Sequence, residues 1–200
     1  REAVSQLGYR PNYFATALNS KKSLIIGAVF PDVFEPFMGS IIRGIESVLY
    51  HNGYSLMIST SLFDQDREAA MIDTMIYRGI DGLLLVPAMP FAHEPPYNPR
   101  SLIRLMEEHI PVVLLDRYIE DLDIPRVLQR DYQRSCDAVS ACITKGMKHI
   151  PCVSFHLQAT SIRDRLTGYT DTMKAHRLEP QFILLEKQDA DSSDLQDAIS

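Results

Sequence analysis

Apolar runs of strand length alternate with helix-length segments along most of the chain, and this alternation restricts the fold more than any other feature. The first run, Leu24–Phe30, is broken only by Gly27 and ends at Pro31-Asp32. A polar-aromatic turn follows, and then a helical pattern over Phe37–Asn52 with Gly53 at its end. Next come a strand over Tyr54–Thr60, a helix over Asp64–Arg78 and a strand over Asp81–Val86. That helix carries apolar Ala69, Ala70, Ile72, Met75 and Ile76 and closes at Gly79. The Pro-rich loop Pro87–Pro99 leads to a helix over Arg100–His109 and a strand over Ile110–Leu115. A polar loop, Asp116–Pro125, precedes a short strand over Arg126–Gln129. The pattern then resumes as helix Asp131–Lys145, strand His149–Phe155, helix Ser161–His176 and strand Phe182–Glu186, and Asp189–Ser200 begins another helix. Strands alternating with helices imply a parallel sheet covered on both faces. Five strands complete one doubly wound sheet near Gln129, so the later units are expected to start a second one.

The length of 200 residues suits one domain or two small ones. A content of 46% hydrophobic and 23% charged residues supplies an ordinary core. The net charge of -6 argues against a wholly basic nucleic-acid-binding body. Up to Lys22, however, Arg1, Arg10, Lys21 and Lys22 face Glu2 alone, so a basic arm precedes an acidic body. In that arm Gly8 closes a short helical piece, Pro11 biases Arg10 away from helix, and Asn12 can cap a short helix over Tyr13–Leu18. Cys136, Cys142 and Cys152 form no CxxC pair and suit a reduced cytoplasmic compartment. No apolar run approaches the ~20 residues that span a bilayer, and there is no signal peptide. The chain lacks an initial Met and ends inside a helical pattern, as a fragment would.

In an open parallel sheet, ligands bind outside the carboxyl ends of the strands, which singles out Pro31–Met38. Nucleotide chemistry does not fit there. Gly39 and Gly44 are spaced as in a phosphate loop, but Ile45-Glu46 stands where Lys-Ser/Thr is required. No GxGxxG follows the first strand, and neither HExxH, a Cys/His cluster nor a GxSxG elbow occurs. No metal, cofactor or catalytic constellation is therefore expected. Asp32 and Asp116 stand at or just past the ends of apolar strands. Each either caps its own loop through backbone N–H groups or accepts hydrogen bonds from ligand hydroxyls. Arg117 and Arg165 are either donors to the same cleft or solvated surface charges. Phe34, Phe37 and Met38 offer an apolar wall for a sugar or base, or else pack in the core. Polar groups and apolar walls without a nucleophile–base pair describe a binding site, not a catalytic one.

Several motifs, in order, resemble the lac repressor/galactose repressor (LacI/GalR) family. Leu7-Gly8-Tyr9-Arg10-Pro11-Asn12, then Ala15 and Leu18, looks like the end of its helix-turn-helix headpiece and its hinge helix. Ile26-Gly27-Ala28-Val29-Phe30-Pro31-Asp32, then Pro36-Phe37, resembles its first strand and effector loop. Gly44-Ile45-Glu46, Asn52-Gly53-Tyr54, Ile80-Asp81-Gly82-Leu83-Leu84, Pro111–Arg117 and Arg165-Leu166-Thr167-Gly168-Tyr169 continue the likeness.

The resemblance implies a periplasmic-binding-protein-like α/β body of two doubly wound parallel-sheet subdomains, the second incomplete, preceded by a short hinge helix. The implied divisions are 1–22 for headpiece end and hinge, 23–130 for the first effector-binding subdomain and 131–200 for part of the second. The implied function is sequence-specific DNA binding, as a repressor controlled by a small effector, a sugar, in the cleft between subdomains. Partners would be operator DNA, the effector and a second copy in a homodimer, with a tetramer as its doubled form; no membrane is involved. Tyr9, Arg10, Asn12, Ala15 and Leu18 would meet DNA, Leu18 as a wedge that kinks it. Asp32, Glu35, Phe37, Met38, Asp116, Arg117, Ser161 and Arg165 would line the effector cleft, and Phe37–Asn52 with the strand after it would form the dimer face. Glu35 stands where the family usually has Asn, Thr16 replaces the hinge Arg, Tyr132 follows Asp131 where Asn is common, and Met147 replaces the His after Gly146. A solute-binding protein for transport would share the body. It would need an export signal and no basic arm.

Overall fold

The structure, a computed structural model, describes residues 22–155 and 158–185. The expected DNA contacts Tyr9, Arg10, Asn12, Ala15 and Leu18, and the helix expected from Asp189, lie outside the described residues. In chain order the elements are β1 Ile25–Phe30, α1 Pro36–His51, β2 Ser55–Thr60, α2 Gln65–Tyr77, β3 Gly82–Leu85, α3 Arg100–Glu107 and β4 Val112–Leu115. They continue with β5 Arg126–Val127, α4 Asp131–Thr144, β6 Cys152–Phe155, α5 Thr160–Ala175 and β7 Phe182–Leu185. The first five strands form one parallel sheet in the order β2-β1-β3-β4-β5, and β6 and β7 pair in parallel in a separate sheet. The α/β class and the restart after β5 match the sequence expectation.

Alternation along β1 explains the two-sided core. Val29 points to one face and packs with Ile72 and Met75 of α2, Leu102 and Leu105 of α3, and Leu83, Leu85 and Leu114. Ala28 and Phe30 point to the other face, where Met38 of α1, Val86 and Leu115 join them. Burying each large side chain contributes about 1.5–3 kcal/mol, so this sheet carries most of the hydrophobic stabilisation. Most element boundaries shift by one to three residues from the expectation, and two of the shifts have clear local reasons. α1 begins at Pro36, because the first helical position needs no N–H and suits the fixed φ of proline. β5 is only two residues long, pairing Arg126 with Leu114 and Val127 with Leu115. It is an exposed edge, and Gln129 turns its side chain to Asp116 and Arg134 instead of extending the strand.

At the amino end of the sheet, Asp81 accepts hydrogen bonds from Ser23 N at 2.8 Å, Ser23 Oγ at 2.9 Å and Leu24 N at 2.9 Å. The chain therefore enters β1 clamped to the start of β3, on the edge opposite the carboxyl rim. In the second half α4 and α5 pack closely, with Val139, Tyr169 and Met173 buried together. The Tyr169 hydroxyl accepts from Gln181 N at 2.7 Å and donates to Ile150 O at 2.8 Å, tying α5 to the chain before β6 and β7. Among the described residues no helix is long and apolar enough to cross a membrane.

Candidate functional site

Because the strands are parallel and ordered β2-β1-β3-β4-β5, the carboxyl ends of β1, β3 and β4 are neighbours. The loop after β1 is held by its own side chains. Asp32 Oδ1 accepts from Phe34 N at 2.8 Å, a local turn that leaves Phe34 91% exposed. Glu35 caps α1, its two oxygens accepting from Phe37 N at 3.2 Å and Met38 N at 3.0 Å. Phe37 is partly exposed at the rim, whereas Met38 is buried in the core beneath it.

The loop after β4 is the more unusual one. Asp116 has φ 64°, and Arg117 N donates to Leu115 O at 2.6 Å across it. This is a tight γ-turn at a non-glycine residue, a strained form that collects at ligand sites. Asp116 is buried, with its carboxylate facing Arg117 Nε at 3.3 Å and Gln129 Nε2 at 3.4 Å. Arg117 is also buried, so it is not a solvated surface charge. Its Nη1 donates to Pro87 O at 3.3 Å, at the end of β3. Burial lowers the proton affinity of its guanidinium, the Asp116 carboxylate raises it, and Arg165 lowers it again. Arg165 is thus close enough to act on Arg117 electrostatically.

Beneath these residues lies a buried carboxyl that the sequence reading passed over. Glu68, on α2, is 2% exposed. Its oxygens accept from Ala88 N at 2.6 Å and from the Tyr97 hydroxyl. Burial pushes its pKa up to about 7, against the opposing pull of Tyr97, Ala88 and Arg117. Helical spacing was the available signal: Glu68 lies four residues before Ile72 and seven before Met75, on the buried face, while Ala70 is exposed.

The second sheet meets this rim through the start of α5. Thr160 Oγ1 accepts from Tyr118 N at 3.1 Å, and Gln158 N donates to Pro90 O at 2.8 Å. Arg163 pairs with Glu120 and donates to the Tyr118 hydroxyl at 2.9 Å. Arg165 Nε donates to Asp131 Oδ1 at 2.7 Å. Ser161 is buried, and among the described residues its hydroxyl has no hydrogen-bond partner. Among the described residues no side chain caps the amino end of α5, so its first N–H groups are also open to a ligand oxygen. The fold therefore brings Asp116, Arg117, Ser161 and Arg165 to one junction. Asp32, Glu35 and Phe37 stand on the adjoining rim, and among the described residues no hydrogen bond joins Asp32 or Glu35 to α5. A cavity of about 770 Å³ opens beside the junction, with Met89, Tyr118, Thr160, Arg163 and Phe182 in its walls. None of the eight expected effector residues lines it, so it is an outer recess and not the expected cleft.

A family model described as periplasmic binding proteins and sugar binding domain of LacI family matches residues 23–200. The chain belongs to the LacI family. The HTH-type transcriptional regulator MalR of Streptococcus pneumoniae serotype 4 is 32% identical over 184 residues, covering 89% of this chain and 53% of MalR. Catabolite control protein A of Priestia megaterium is 31% identical over 157 residues, 78% of this chain and 45% of that protein. The solved LacI transcriptional regulator of Lactobacillus brevis superposes with a TM-score of 0.74 at 20% identity, over 88% of this chain and 63% of that one. This LacI-family chain thus spans about half the length of the curated relatives it matches. MalR and the Lactobacillus brevis protein carry the names of transcriptional regulators, a different class from solute-transport proteins.

Proposed function

We propose that this chain is the effector-responsive body of a DNA-binding transcription regulator, a repressor, whose operator affinity is set by a small polyhydroxylated effector of the sugar class. The carrying observation is the junction of the two sheets, where, among the described residues, a buried Ser161 hydroxyl has no protein partner and sits beside a helix start without a side-chain cap and the paired charges of Asp116, Arg117, Arg165 and Asp131. Open donors and acceptors among mutually compensated charges suit ligand hydroxyls better than a net charge. Residues 23–130 form the first subdomain and 131–200 part of the second, with the effector between them. Asp32, Glu35 and Phe37 form the wall nearer β1, and Met38 supports that wall from the core. The reading is one of binding, not catalysis, in the cytoplasm, with residues 1–22 leading to DNA.

Exposed Val48 and Tyr50 on α1 and Ile58 on the edge strand β2 supply the dimer face, Tyr50 being 74% exposed. Effector that favours one arrangement of the two subdomains changes the spacing of the paired hinges and so shifts operator affinity by population shift. The Asp81 clamp on Ser23 and Leu24 transmits that motion to the arm.

The test is a thermal-shift screen of sugars and purines on the full-length protein, followed by operator binding with and without the hit. A ligand at a hundred times its Kd raises native stability by about 2.7 kcal/mol. Operator affinity that is indifferent to salt, or equal on operator and random DNA, overturns the reading. Arg165→Ala is expected to abolish the effector response with little change in fold, since its side chain is half exposed and, among the described residues, bonded only to Asp131; unchanged induction removes Arg165 from the site. Leu18→Ala should weaken operator binding by more than ~1 kcal/mol while sparing effector affinity, because the wedge permits the DNA bend. An equal loss on random DNA would rule out the wedge.

A further inference from the structure

We infer that Glu68 is a positioning residue whose protonation state sets how the Pro87–Pro99 loop is held against the second sheet, which makes the junction between the sheets responsive to pH. The inference rests on the effector-cleft reading only for its functional consequence.

The geometry is that of one loop with two clamps. At the first clamp Glu68 accepts from Ala88 N at 2.6 Å and from the Tyr97 hydroxyl, so it grips both ends of the loop. Arg117 adds a hydrogen bond to Pro87 O at 3.3 Å. At the second clamp Gln158 N donates to Pro90 O at 2.8 Å, and Gln158 Nε2 donates to Phe91 O at 3.0 Å and Glu94 O at 3.3 Å. Met89, between the clamps, packs on Ala159 at the start of α5. A change at the first clamp therefore moves the carbonyls that the second clamp uses, next to Ser161.

Proton uptake has a defined place to go. Both Glu68 oxygens act as acceptors, which suits the ionised carboxylate. Ala88 N can only donate, so an added proton must sit on the oxygen facing Tyr97. Glu68 then donates to the Tyr97 oxygen, and the Tyr97 O–H must find a new acceptor. The proton thus changes the tyrosine side of the clamp and leaves the Ala88 side in place. The charged and titratable groups that face Glu68 are Tyr97 from the loop and Arg117 from the end of β4, with Asp116 behind Arg117. Burial moves the carboxyl to about 7, which places the change in the neutral range.

The test is amide hydrogen exchange of the full-length protein, followed on peptides covering residues 86–99 and corrected for the intrinsic pH dependence of exchange. It needs neither effector nor DNA. Its failure leaves the effector reading standing, and the effector reading fails separately in the thermal-shift and operator measurements. Protection of this loop is expected to change about five- to tenfold between pH 6 and pH 8, the effect of one hydrogen bond's rearrangement. Glu68→Gln should flatten the profile. His93→Gln, which removes the imidazole stacked on Phe91 of the same loop, should leave it unchanged. Tyr97→Phe removes the hydroxyl that the proton redirects, so it should also flatten the profile, even if Glu68→Gln folds poorly. A flat native profile, an unaltered profile in Glu68→Gln, a loss in His93→Gln or an unaltered profile in Tyr97→Phe each overturns the inference.

Discussion

Gly168→Ala is expected to destabilise the protein by about 2 kcal/mol or more, although alanine is the better helix former. A Cβ at Gly168 would sit well inside contact distance of the Tyr132 carbonyl oxygen and 3.1 Å from Ser135 Cβ. The obstructing atom is backbone on α4, which cannot swing aside as a side-chain tip can. The helix pair must separate, and overpacking of this kind costs about 1–3 kcal/mol and occasionally more. Separation also disturbs the contacts of Tyr169 and Met173 just beyond. The intrinsic helix preference returns only about 1 kcal/mol. The same change at Gly39 on α1 meets nothing within 4 Å, so there the helix preference alone should show and stabilise. Urea unfolding of the two variants decides the matter, and equal effects at both positions would refute the close-crossing argument.

The second large effect is a pH dependence of stability that belongs to Glu68. Its pKa is about 7 in the folded protein against an ordinary 4.5. Between those values the native chain holds a proton that the unfolded chain has released. Its stabilising contribution is therefore complete below the unfolded value and is lost as pH rises through about 7. The full swing is on the order of 3 kcal/mol, and because Glu68 is buried it is little screened. Glu68→Gln stays neutral throughout. Measured by urea unfolding, the stability difference between variant and native chain should move in the variant's favour from pH 5 to pH 8. The absolute offset is smaller, because the amide N–H₂ would donate to the Tyr97 oxygen and leave the Tyr97 O–H without the acceptor that the carboxylate supplies, at about 1–3 kcal/mol. Parallel curves for the two proteins would show that Glu68 does not titrate in this window.

Strand and helix order, the parallel sheet and the restart after Gln129 were legible because each depends on short-range periodicity, which survives in any one-dimensional reading. Asp32 and Asp116 were legible for a similar reason, since an acid that ends an apolar run marks the carboxyl rim whatever surrounds it. The uses of Glu35 and Met38 were less so. Glu35 turns its carboxylate back onto α1 and Met38 points into the core, choices made by the angle at which the helix leaves the loop.

By itself, then, the sequence determined the α/β architecture, the family motifs and the carboxyl rim on which the candidate ligand residues stand, since local pattern and chain order suffice for these. Only the tertiary structure decided that Arg117 is buried between Asp116 and Pro87, that Gln158 and Thr160 reach the first sheet from the second, and that Glu68 lies beneath the rim with a raised pKa. Those facts depend on which distant groups share a low-dielectric space. Burial and partners of that kind set proton affinity and hydrogen-bond supply, and neither follows from the spacing of residues along the chain.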